Sequence, residues 1–174
     1  MARKILIPLT TVLAAGAIAV GSGASFTSTS GNTISAVTSG TLTHANSKDG
    51  QAIFTLTNMK PGDTLNGTLT LTNTGTLAAD FGLTEVSSTN NFTGSNLTLD
   101  IVDTTANATV YSGTFGGLAD GTRNPLGTWA AGATHNFRFT VKLAQDTLNV
   151  DQNKTANAVY AWDSVQTAGT TYNQ

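Results

Sequence analysis

An all-β fold, an antiparallel two-sheet sandwich, is what this sequence predicts. Three observations carry it. Apolar residues recur with a period of two rather than the helical 3.6, glycine, asparagine, aspartate and proline cluster between the alternating runs, and threonine fills the positions opposite the apolar ones. Only 10% of the 174 residues are charged, well below the usual quarter, so the polar face is built from hydroxyls and amides. Threonine is β-branched and suits a strand that faces water.

The chain opens with the pattern of a cleavable signal helix over residues 1–24. Arg3 and Lys4 give a positive start, Ile5 to Val20 an apolar stretch, and Ser22 and Ala24 fit the small-residue positions before a cleavage site. An uncleaved anchor helix is the alternative, but the stretch is short for a span of about 20 residues. Residues 25–37 (SFTSTSGNTISAV) then form an extended, uncharged segment in which Phe26, Ile34 and Ala36 share one face. Residues 38–174 are read as the sandwich domain.

Within that domain Phe54 and Leu56 alternate with Thr55 and Thr57. Leu69 and Leu71 alternate with threonines, and Leu97, Leu99 and Ile101 with Thr98 and Asp100. Phe137, Phe139, Val141 and Leu143 form the clearest run, and Ala156, Ala158, Tyr160 and Trp162 share another face. Each reads as a strand with one buried side, with Phe54, Leu56, Leu69, Leu71, Phe137, Phe139 and Tyr160 as core. Turns are expected at 61–63, 73–75 and 130–133. Residues 116–128 read as a long polar loop with four glycines, and Trp129 as lying at a loop edge. Trp162 reads as core.

Much function is excluded by composition. Basic residues are scattered, which speaks against nucleic acid. The absence of cysteine removes thiol catalysis and cysteine-bound metals. Metal-assisted hydrolysis needs about three protein ligands and an open position. The chain has two histidines, His44 and His135, neither in His-Glu-x-x-His, and both read as solvated strand ends. The single glutamate, Glu85, lies in a strand-like run. No catalytic, cofactor-binding or metal-ligating set is legible, and no cofactor is expected. Five Asn-x-Thr sequons, at Asn66, Asn91, Asn96, Asn107 and Asn153, are of the kind that a threonine- and asparagine-rich chain produces by chance.

The most informative block is residues 40–81. Gly40-Thr41-Leu42 opens it. Asn58-Met59-Lys60-Pro61-Gly62-Asp63 follows, where Pro61 presets φ, Gly62 can take positive φ and Asp63 can bond nearby backbone. Asn73-Thr74-Gly75 closes the second strand. This ordered set, behind an export signal, resembles the TasA/camelysin family of exported proteins, whose best-known members build the fibres of bacterial biofilm matrix. The likeness covers the leader, residues 25–86 and, loosely, the last strand with Trp162. It implies a jelly-roll-like sandwich, secretion to the matrix or cell surface, and contact with a membrane only during export. It further implies growth by donor-strand exchange, with residues 25–37 of one subunit completing the sheet of the next. The partner is then another copy, head to tail, with a minor fibre-initiating protein as a possible accessory. The alternatives are that 25–37 is the first strand of its own sandwich, and that the chain is a camelysin-like metalloendopeptidase or a monomeric adhesin.

Overall fold

The computed structural model describes residues 40–54 and 59–171. The signal helix, the 25–37 segment, Leu56 and Asn58 lie outside the described residues. Among those described, eight strands occur: β1 (His44–Asn46), β2 (Thr64–Asn73), β3 (Ala79–Asn90), β4 (Leu97–Asp103), β5 (Ala108–Thr114), β6 (Arg123–Trp129), β7 (Thr134–Leu143) and β8 (Ala156–Gln166). The only helical element among them is a short 3-10 turn, Asn149–Asp151. The strands make a five-stranded sheet, β1-β2-β7-β4-β5, and a three-stranded sheet, β6-β3-β8, with every pairing antiparallel.

Period-two patterning explains how the layers meet. Leu69 and Leu71 of β2, Leu97, Leu99 and Ile101 of β4, and Phe137, Phe139, Val141 and Leu143 of β7 all point inward and are buried. They pack against Phe81 and Leu83 of β3 and the inner face of β8. Phe137 meets Trp162 at 5.0 Å between ring centroids, and Phe139 meets Tyr160 at 5.6 Å, so aromatic rings bridge the two sheets. The opposite face of the larger sheet is polar and self-paired. Thr70 donates to Asn136 at 2.7 Å, and Thr140 to Asn66 at 2.7 Å, across neighbouring strands.

Turn chemistry fixes the register. Gly62 takes φ +87°, Asp63 accepts from Lys60 N–H at 2.8 Å through its side chain, and its own N–H returns to Lys60 O at 2.9 Å. Gly62 N–H and Asp63 O then continue the β2–β7 ladder through Leu143. At the other end of β2, Asn73 is fully buried and acts as a hub. Its side-chain nitrogen donates to the carbonyls of Leu77, Trp129 and Ala130, and its oxygen accepts from Gly75 N–H. A Cβ on Gly75 would stand 2.4 Å from Thr41 O and 3.0 Å from Thr43 N, both backbone atoms. The Asn-x-Gly triplet therefore lets residues 41–43 dock against the turn, through Thr74, Gly75 and Thr76 N–H groups. Gly75→Ala is expected to lower stability by about 1–3 kcal/mol through this overpacking, read as a reduced denaturant midpoint; an unchanged midpoint would show that 41–43 can shift freely.

Three expectations are corrected. Residues 116–128 are not one long loop, because residues 123–129 form β6, paired with β3. Pro125 is tolerated there because β6 is an edge strand. Trp129 is not at a loop edge but is 3% exposed, stacked 4.0 Å from Phe81 and 3.9 Å from His135. Phe54 belongs to an irregular segment rather than a strand. Gly67 of β2 has no side chain, so Ile53 and Phe54 cross over it, and the Phe54 ring lies 6.5 Å from both Phe115 and Phe139.

Candidate functional site: the groove beside β8

The two sheets do not close on each other along one side. A groove of about 1580 Å³ runs there, floored by Leu65, Leu69, Val141 and Phe54 and walled by Ala158, Tyr160 and Trp162. Its size exceeds the usual small-molecule range of roughly 300–1,000 Å³ and suits an extended chain better. The inner face of β8, Ala156, Ala158, Tyr160 and Trp162, is only half-buried, whereas Leu69 and Leu71 of β2 and Phe137, Phe139 and Val141 of β7 are buried.

Both strands that border the groove have free edges. Strand β8 pairs with β3 on one side and, among the described residues, with nothing on the other. Strand β1 covers only Leu71–Asn73 of β2, leaving Thr64–Leu69 without a strand partner on that side among the described residues. Edge strands are ordinarily blunted by lysine, proline or inward charge. Over its 11 residues β8 carries no lysine or proline and one charge, Asp163, which is held by Arg123 at 2.7 Å. Its outer face shows Val159 and Val165, each about half exposed.

The groove ends are pinned. At one end His44 of β1 reaches Ser164 of β8, Nδ1 to Oγ 3.0 Å, and its ring meets Phe81 edge-on. At the other end Asp151 is buried and accepts from Thr93 N–H, Thr93 hydroxyl and Asn96. These donors, Asn96 first, hold its carboxyl below the ordinary value.

The histidines are not solvated strand ends. His135 lies against Trp129 with Nδ1 2.6 Å from the buried Asp103 carboxylate, while His44 bonds Ser164. His44, Phe81, Trp129 and His135 follow one another as neighbouring rings. Among the described residues no group of three or more histidine, cysteine, aspartate or glutamate side chains stands close enough to hold a metal ion. The described residues do not fit a catalytic zinc, which needs three such ligands.

One polar group was missed by sequence reading. Glu85 is fully buried, with neither carboxyl oxygen bonded, beside the Tyr160 hydroxyl, which is also buried and unpaired. The alternation Phe81, Leu83, Glu85 was the available signal that it points inward. Burial pushes its carboxyl above the ordinary 4.5, and Tyr160, desolvated and facing Glu85, is raised as well. A carboxyl raised on folding binds its proton more tightly in the folded state. In chelator-treated buffer its contribution is therefore full below pH 4.5 and is lost as pH climbs through the folded value. Thermal melts across pH 4–8 are expected to show this decline in the native chain and a flatter profile in Glu85→Gln; parallel profiles would remove Glu85 from the account.

Strand order, burial and the half-open layer define an antiparallel all-β protein of two packed sheets. Residues 2–111 match the family model described as camelysin metallo-endopeptidase, and the chain belongs to that family. A comparison with curated proteins finds no match. No helix among the described residues is long and apolar enough to cross a membrane.

Proposed function

We propose that this protein is an exported structural subunit, a jelly-roll-like sandwich that polymerises head to tail into matrix or surface filaments. Residues 25–37 of one copy lie along the free edge of β8 in the next, and Phe26, Ile34 and Ala36 enter the groove toward Tyr160 and Trp162. The observation that carries this reading is an 11-residue edge strand, unpartnered on one side among the described residues, that borders a long groove. Strand addition gives affinity through backbone hydrogen bonds and specificity through alternate side chains. Because donor and acceptor are different surfaces, the contact does not close on itself and yields an open filament.

The family's description as a metallo-endopeptidase favours a peptidase, but among the described residues no three-ligand set stands together to carry that chemistry. Negative-stain micrographs of the concentrated protein decide between them. Regular filaments support the structural role. A monodisperse protein that cleaves casein, and stops when chelated, would replace it with the enzyme.

A further inference from the structure

The polar cluster under the 116–122 turns has a chemistry of its own; it shares Tyr160 with the groove wall but does not rest on the filament reading. Asp120 in these turns acts on Glu85 with like charge, and Ser88 of β3 and Tyr160 of β8 complete the surroundings. None of these groups is cationic. Arg123, the basic residue of the adjacent strand, is engaged by Asp163 and by Asp80 O.

We propose that Glu85 and Asp120 bind a divalent cation of the calcium class, which pins the 116–122 turns onto β3 and β8. Glu85 is wholly buried with both oxygens unpaired, a condition that native proteins resolve with a donor, a water or an ion. The second carboxylate nearby raises the demand for positive charge. Every candidate ligand is oxygen: two carboxylates, the unpaired Tyr160 hydroxyl and Ser88 Oγ, which donates to Gly116 O and keeps its lone pairs free. All-oxygen sets suit calcium or magnesium rather than zinc. Calcium is favoured because it accepts irregular geometry from turns and uses hydroxyl and carbonyl oxygens, so three acidic or histidine ligands are not required.

The turns are built for such an attachment. Gly116 and Gly121 take φ of +70° and +72°, and Gly121 N–H donates to Glu85 O at 2.8 Å. With two carboxylates the affinity expected is that of weak extracellular sites, about 10⁻⁴–10⁻³ M. A proton does for Glu85 at acid pH what the cation does at neutral pH.

The test is thermal unfolding of the full chain at neutral pH after chelator treatment, titrated with calcium chloride and separately with magnesium chloride. The native chain is expected to gain roughly 3–8 °C at ten times the dissociation constant. Asp120→Asn, an exposed change, is expected to fold normally and lose most of that gain. Glu85→Gln is expected to be more stable than the native chain without calcium and to ignore its addition. The calcium response is expected to vanish near pH 4. No gain at about 10 mM calcium, a typical excess over such sites, overturns the site and leaves the proton as the sole neutraliser. An equal gain in the native chain and Asp120→Asn overturns it too, by locating the ion elsewhere.

Discussion

A chain lacking residues 25–37 is expected to stay folded, remain monomeric and form no filaments. The described core draws on residues from Leu42 onward, so the sandwich keeps its packing. What is lost is the donor. Thirteen extended residues span about 43 Å and the 11 of β8 about 36 Å, so the segment can cover the whole free edge. Each new backbone bond adds about 0.5–1.5 kcal/mol net, and burying Phe26 and Ile34 about 1.5–3 kcal/mol apiece. Ordering the arm costs about 1–2 kcal/mol per residue, so the balance is close and each anchor matters. A synthetic peptide of residues 25–37 is expected to cap growing filaments of the intact chain. Unchanged filaments from the shortened chain would sink donor-strand exchange.

The second large effect is expected at Trp129→Ala. This ring is sandwiched between Phe81 and His135, and the His135 imidazole in turn meets Asp103. Removing a buried tryptophan costs about 3–5 kcal/mol, a large share of a domain's stability. The urea midpoint is expected to fall with an unchanged slope, and the 73–77 turn to loosen, because Asn73 donates to Trp129 O. A loss below about 1 kcal/mol would show that Phe81 and Leu126 collapse into the space.

Sequence legibility followed burial. Strands β2, β4, β7 and β8 were readable because each buries one face and solvates the other, which writes a period of two. Strand β6 was not, since Pro125 and Gly127 are the residues that elsewhere mark a loop, and only its pairing with β3 makes it a strand. Trp129 was misplaced for the same reason, with glycines at 127 and 132 flanking it. The turn at Pro61-Gly62-Asp63 was legible because its chemistry is local. The groove was not, because it exists only where one sheet has three strands and the other five. Nor was the nearness of Asp120 to Glu85, which are brought together by the β3–β6 pairing rather than by spacing.

The threonine and asparagine face described above bears on how the molecule meets its surroundings. Among the described residues one Lys or Arg ion pair occurs, Arg123–Asp163, and the His135–Asp103 contact at 2.6 Å is shielded from solvent. Exposed charges weaken as ionic strength rises, since screening sets in over about 10 Å at 0.1 M salt. Hydroxyl–amide ladders carry no such charge. The hydroxyl–amide pairs of the larger sheet's outer face are therefore expected to hold alike at low and high salt.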